Sequence, residues 1–335
     1  MKVLIVKMSS LGDVIHTLPA IHDAVSAHPE IEFHWVVEKS FSEIPAFSAH
    51  VKKIIPIEFR RWRKQGPRFI FNEEFKQFKK NLVAEKYDLI IDAQGLLKSA
   101  MVAKLARGPI AGFNFNFARE KIASLFYQKK YSVEKKQHAV TRLRQLFAAA
   151  LNYPYPQDSA HYGIDIHLLP KKPLEIIDYL IFLHGTTWDS KHYPEEYWQE
   201  LIATCSPQKI LLPWGNLEEK LRAERLAKDN AHVTVLPKCS LSEIARLLAD
   251  AKYVVAVDTG LGHLAAALGA PTISLYGPTN PEQIGTIGKN QTHLAAKFPC
   301  APCKQRRCTY EGESEAKPAC FTTIKPAFIK EKMEG

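Results

Sequence analysis

A chain of 335 residues is longer than one hydrophobic core ordinarily spans, so two domains are expected. With 46% hydrophobic and 24% charged residues it has the balance of a globular protein, which excludes a disordered or fibrous one. Lys and Arg outnumber Asp and Glu by 45 to 35, and the net +10 predicts an anionic partner: nucleic acid, a phosphorylated sugar or an acidic membrane surface.

No zinc-finger, RNA-recognition or helix-turn-helix signature favours nucleic acid, so none is expected. No apolar run approaches the ~18–20 residues that span a bilayer. The apolar run in MKVLIVKMSSLGD is shorter than the ~7 residues of a signal-peptide core, which predicts a first strand and a cytoplasmic protein.

In chain order, KVLIVK is a strand, SSLGDVIH a turn and TLPAIHDAVSAH a helix. FHWVVE predicts a strand, followed by a helix to about Ala49 and the strand VKKIIPI. A dense basic patch, FRRWRKQGPR, precedes a helix over Asn72–Glu85, the strand YDLIIDAQG, the helix LLKSAMVAKLA, the strand IAGFNF and a helix around Val140–Ala150.

Beyond a Pro-, Tyr- and Asp-rich stretch the alternation restarts. DYLIFLHGTT, a helix around Pro194–Cys205, KILLPWG, a helix over Glu218–Lys228, HVTVLP and SLSEIARLLAD lead into Val254–Pro278, which reads as strand, glycine turn, helix and strand. Alternating strands and helices predict the α/β class with two Rossmann-like, doubly wound domains. The expected boundaries are 1–160, a linker over 161–175, 176–310, and a tail over 311–335 that forms a helix returning to the first domain.

The chemistry gathers at strand-to-helix turns, where open α/β sheets bind ligands. Asp13, in SSLGD, reads either as a helix-capping carboxylate or as a base that takes a proton from an attacking hydroxyl. Arg60, Arg61, Arg63 and Lys64 put four cations within five positions around Trp62, a density that suits an anionic ligand better than a solvated loop. Arg119 follows GFNFNF and is either an addition to that patch or a surface arginine.

In the second half, Thr186, Thr187 and Lys191 offer hydroxyls and an ammonium for a phosphate, against the plainer reading of a capped helix. Glu218 or Glu219 after LPWG is placed to accept ribose hydroxyls, or merely to favour the helix dipole. Asp258, Thr259, Gly260 and His263 surround a helix N-terminus, a ready anion site. A Walker pattern and a full G-x-G-x-x-G are both missing, which argues against a P-loop NTPase and a dehydrogenase. Cys300, Cys303, Cys308 and Cys320 form C-x2-C-x4-C-x11-C, readable as a structural metal or cross-linked cluster or as unlinked thiols.

Together, KMSSLGDVIHTLPA, FRRWRK, DAQGLLKSA, FLHGTTWDSKHYP, LPWG and VDTGLGHLAAALGAPTISLYGPT resemble the ADP-heptose:lipopolysaccharide heptosyltransferases, glycosyltransferase family 9, from Met1 to about Asn290. FRRWRK and DAQGLLKSA are most similar to the type I branch, whereas the Cys-rich tail is more reminiscent of type II, which acts on the first heptose. The resemblance implies a GT-B fold, two Rossmann-like domains facing across an interdomain cleft. The first would bind the acceptor and the second the nucleotide sugar.

It implies Asp13 as the general base of an inverting transfer of L-glycero-D-manno-heptose from ADP-heptose to the first inner-core Kdo of Kdo-lipid A. Lys191 and Thr187 match the diphosphate contacts, Glu219 the ribose-binding acid, and Asp258, Thr259, Gly260 and His263 the donor loop. Arg60, Arg61, Arg63, Lys64 and Arg119 match the acceptor-binding cations. No cofactor and no catalytic metal are implied, and the enzyme would sit peripherally on the cytoplasmic face of the inner membrane of a Gram-negative bacterium. The alternative from another class is a nucleotide-sugar or nucleic-acid binding protein, which would release no ADP when donor and acceptor are mixed.

Overall fold

The computed structural model describes residues 1–172 and 174–334, with Pro67 described by its backbone alone. The chain forms two compact units, Met1–Asp165 and Ile166–Gly335.

In the first unit six strands form one parallel sheet: β1 (Lys2–Val6), β2 (Glu32–Glu38), β3 (Val51–Ile57), β4 (Leu89–Asp92), β5 (Ile110–Phe113) and β6 (Lys129–Tyr131). Their order is β3-β2-β1-β4-β5-β6. A strand covered on both faces must be apolar along its whole length, and Val3, Leu4, Ile5 and Val6 of β1 are all fully buried. β1 pairs on one side with β2 (Leu4 opposite His34) and on the other with β4 (Leu4 opposite Ile90), so the winding reverses beside it.

The second unit holds β7 (Tyr179–Leu183), β8 (Lys209–Leu212), β9 (Val233–Val235), β10 (Tyr253–Val257), β11 (Thr272–Tyr276) and β12 (Gln291–Ala295). Its order, β12-β11-β10-β7-β8-β9, is the first sheet's order read from the other edge. Trp198, Phe182, Leu201 and Phe321 pack one face of this sheet.

The structure departs from the sequence expectations in four places. The helix expected to reach Ala49 is two short 3-10 turns, Lys39–Phe41 and Pro45–Phe47, because Pro45 lacks an N–H and restricts the residue before it. FRRWRK is a helix, Phe59–Lys64, whose Trp62 is buried against Phe69, Phe75 and Phe78. The edge strand β6 had no hydrophobic signal, being the exposed KKY. The C-terminal helix Pro326–Glu334, expected to return to the first unit, belongs to the second, where it packs on the helix Glu195–Thr204.

Candidate active site

Ligand crevices in doubly wound sheets open at the carboxyl ends of the strands where the winding reverses. In the first unit that point lies between β1 and β4, and the turn after β1 carries Asp13. Asp13 is the third residue of the short helix Leu11–Ile15, and Ser10 is the cap. The Ser10 N–H and hydroxyl donate to Asp13 Oδ2 at 3.0 and 2.8 Å, and the Lys7 ammonium stands 3.5 Å from Oδ1. Burial by itself would raise Asp13; Lys7, the Ser10 hydrogen bonds and His16 outweigh it and hold the carboxyl well below the usual range.

Around Asp13 lies a pocket lined by Lys7, Ala93, Gln94, Phe113, Arg119, Ala139, Arg142 and Leu143. Lys7 is buried and donates to the Ala93 carbonyl at 3.1 Å, while the Gln94 side-chain oxygen accepts from the Met8 N–H at 2.8 Å. The turn after β4 is shaped by the buried Asp92, which accepts from the N–H groups of Gln94 and Gly95, from Ser99 and from Tyr127. Gly95 takes a positive φ of 67°, which a side chain would resist. The carboxylate of DAQG is thus a structural hub, and it presents Ala93 and Gln94 to the pocket. Arg142 donates to the Phe117 carbonyl at 2.9 Å and lies 4.8 Å over Phe113. Burial first, and then Arg119, lowers its pKa, against the opposite pull of Glu134. One carboxylate therefore faces three cations, Lys7, Arg119 and Arg142.

The basic helix Phe59–Lys64 is partly committed within the protein. Arg61 pairs with Glu58 and Glu74, and Arg60 donates its N–H to Glu38 at 2.9 Å while its guanidinium lies over Phe41. Lys98 is lowered by burial and then by Arg60, Arg63 and Arg119, with Glu38 opposing. Arg60, Arg63 and Arg119 thus share one electrostatic neighbourhood at Lys98.

In the second unit the corresponding reversal lies between β7 and β10. The Lys191 ammonium pairs with Asp258 Oδ2 at 2.7 Å, and Thr279, just past β11, donates to the same oxygen at 2.7 Å. The Thr186 hydroxyl donates to the Asp258 carbonyl at 3.1 Å, while Thr187 is exposed beside it. The Asp258 carboxylate is filled by its own protein, so its effect is to position Lys191. Thr259 caps the helix Gly260–Ala267, and His263 lies buried in that helix. Glu219 accepts from the Gly215 N–H at 2.6 Å and closes on Gly185, where a Cβ would meet its carboxyl carbon at 2.7 Å. Only glycine lets Glu219 approach the end of β7. Ser190, next to Lys191, is tied to the Cys-bearing loop through the carbonyls of Gln305 and Arg306.

The sheet edge brings Thr186, Lys191, Glu219 and Asp258–His263 together at the carboxyl ends of β7, β8 and β10. Sequence reasoning missed Lys7, Gln94, Arg142 and Thr279. The signal for Lys7 and Gln94 was present, since each lies one or two residues past a strand that borders the reversal point. Arg142, inside a helix, carried none. The four tail cysteines carry no disulfide, and Cys300, Cys303 and Cys308 bear electrostatically on the buried Cys320, whose thiol is raised to about 12, chiefly by burial. Among the described residues no three His, Cys, Asp or Glu side chains are grouped as a metal ion would require.

The family model for glycosyltransferase family 9 (heptosyltransferase) matches residues 75–313. Lipopolysaccharide heptosyltransferase 1 of Pseudomonas aeruginosa is 49% identical over an alignment covering 100% of this chain and 98% of the relative. The Escherichia coli K12 protein of the same name is 52% identical over 87% of this chain and 92% of its own length. Among solved structures, E. coli heptosyltransferase WaaC with ADP superposes with a TM-score of 0.88 at 46% identity, covering 100% of this chain and 99% of that one. The same enzyme with ADP-2-deoxy-2-fluoro heptose gives 0.85 at the same identity and coverage. E. coli ADP-heptose heptosyltransferase II shares the fold at a TM-score of 0.76 but only 18% identity, with coverage of 100% and 98%. With a GT-B glycosyltransferase fold, a family model matching residues 75–313 and full-length identity near one half, the chain belongs to glycosyltransferase family 9, the heptosyltransferases.

Proposed function

We propose that this enzyme transfers L-glycero-D-manno-heptose from ADP-heptose to the first inner-core Kdo of a lipid A-anchored acceptor, with inversion at the anomeric carbon. The observation that carries the reading is the single carboxylate, Asp13, set among Lys7, Arg119 and Arg142 where the first sheet reverses. Cations there suit an acceptor bearing carboxylates and phosphates. Arg60, Arg63, Lys64 and Arg119 extend the same field, and Arg61 joins it when its carboxylate partners exchange for the acceptor's.

In the reaction Asp13 takes the proton of the acceptor hydroxyl as that oxygen attacks the anomeric carbon. The bond from that carbon to the diphosphate oxygen breaks, and its electron pair leaves with ADP. Charge grows on the departing diphosphate. Lys191, held by Asp258, the N-terminus of the Gly260–Ala267 helix and His263 stabilise it there, with Thr186, Thr187 and Thr259 as further donors. Glu219 accepts the ribose hydroxyls. No metal enters this sequence of steps. Relatives of the type 1 name at 49–52% identity support the type I acceptor. The net charge of +10 supports peripheral attachment to the anionic cytoplasmic face of the inner membrane.

The test is Asp13→Asn. It should bind ADP-heptose as the parent does and lose turnover by about 10²–10⁴-fold, the range of general-base catalysis. Undiminished ADP release would remove Asp13 from the chemistry. Assayed in parallel, unheptosylated Kdo-lipid A should be consumed and the heptosylated core left untouched; the reverse preference would move the enzyme to the type II reaction.

A further inference from the structure

Five large apolar side chains stand exposed on the first unit close to its cationic neighbourhood. They are Leu97 (37% exposed), Met101 (57%), Phe115 (48%), Ile122 (58%) and Leu125 (67%). Leu97 and Met101 are four residues apart on the helix Leu97–Leu105 and so share a face, with the exposed Lys104 at its far end. Ile122 and Leu125 are three apart on the 3-10 helix Lys121–Phe126, whose three-residue turn puts them on one side.

The two helices are packed together and pinned at their starts. The Leu97 N–H donates to the Glu120 carboxylate at 2.6 Å, and the Glu120 N–H donates to the Gly95 carbonyl at 3.0 Å. Phe115 joins the patch through Lys121, whose ammonium lies 5.6 Å over its ring. Each helix already buries a separate face, through Ala100 and Ala103 on one and Ala123 and Ser124 on the other. These exposed side chains are therefore additional to what folding uses, and exposed apolar residues gathered on two packed elements mark an interaction site.

We infer that this face seats in an anionic bilayer, the apolar side chains entering the headgroup boundary and the exposed Lys104 and Lys121 meeting lipid phosphates. The inference rests on the peripheral, lipid-anchored reading given above and names the surface responsible. The rim decides between a bilayer and a second copy of the chain. Along residues 96–105 and 114–126 four cations, Lys98, Lys104, Arg119 and Lys121, stand against one carboxylate, Glu120, so two such faces brought together would oppose a net positive charge to its like. An anionic lipid surface complements both parts of the patch, adding apolar burial to the attraction of each basic residue near the membrane. The placement also suits the acceptor, because Lys98 and Arg119 belong to the electrostatic neighbourhood of Arg60 and Arg63. A sugar rising from the membrane would meet the acceptor cations first.

The full-length enzyme and its double variant Ile122→Glu, Leu125→Glu should be compared by flotation with vesicles containing phosphatidylglycerol and with pure phosphatidylcholine vesicles. The parent should float with the anionic vesicles and the variant should bind them at least about tenfold more weakly. Turnover of a deacylated, water-soluble Kdo acceptor should be unchanged, while the apparent KM for vesicle-borne acceptor rises. Equal flotation of parent and variant would overturn the assignment of the face while leaving peripheral attachment standing. A parent that floats with neither vesicle would remove both. If the parent dimerises without lipid and the variant is monomeric, the face is a subunit interface and the inference fails. Hydrogen exchange of the parent gives a check without substitution: anionic vesicles should protect residues 96–105 and 114–126, and protection confined elsewhere would overturn the proposal.

Discussion

In the role proposed for it, Asp13 combines two demands that pull against each other. A general base works best with a proton affinity near the operating pH, yet Lys7 and Ser10 hold this carboxyl low. The benefit is that it is always ionised. Because its folded pKa lies below the ordinary value of about 3.9, the carboxylate persists as pH falls through the mildly acidic range, so Asp13 imposes no acid limb on kcat/KM there. Lys7→Met removes the largest lowering influence and leaves burial to raise the carboxyl. Its pH-rate profile should then show an acid limb moved upward relative to the parent, and superimposable profiles would mean that Lys7 does not tune the base. The residue scale is also where sequence reading was weakest. Asp13 was legible from its turn, but nothing in FRRWRK separates the buried Trp62 and the paired Arg61 from cations free for a ligand, because pairing depends on Glu74 from another helix.

Among the elements, those covered on both faces were the most legible. β7 and β10 are continuous apolar runs, β1 is one from Val3 onward, and the helix Leu241–Ala249 announces itself through the Ser240–Glu243 capping box. The exposed edge strand β6 was invisible for the converse reason. Contacts between elements distant in sequence were also out of reach, and the chief example is Arg144 with Asp23. Arg144 Nε donates to one Asp23 oxygen at 2.6 Å and Nη2 to the other at 3.3 Å, joining the helices Leu18–Ala27 and Ala139–Leu151 with side chains only 5% and 6% exposed. A second arm reaches the Asp158 carbonyl at 3.0 Å. Asp23→Ala strands a buried guanidinium and should cost about 3–5 kcal/mol of stability. Denaturant unfolding would measure it, and a loss below about 1 kcal/mol would mean that water or Asp158 substitutes for the missing carboxylate.

At the scale of the whole molecule, one strand order occurs twice, and Asp13 in the first unit and Lys191 and Asp258 in the second lie where that order reverses. This part of the fold was legible because two runs of alternating strands and helices flank a proline-rich stretch. The proposed separation of donor from acceptor gives a direct prediction. ADP at about a hundredfold over its Kd should stabilise the enzyme by about 2.7 kcal/mol. Arg60→Ala with Arg61→Ala should leave that stabilisation intact while raising the acceptor KM. An equal loss of ADP stabilisation would relocate those arginines to the donor side.

The repeated topology has a consequence for how such an enzyme diversifies. Each sheet has its own strand-end turns on its own framework, so under the proposed division of acceptor and donor a change of sugar acceptor can be written into residues 1–165 without disturbing the grammar of nucleotide recognition in residues 166–335. On that proposal donor and acceptor specificity are separately heritable traits carried on one polypeptide.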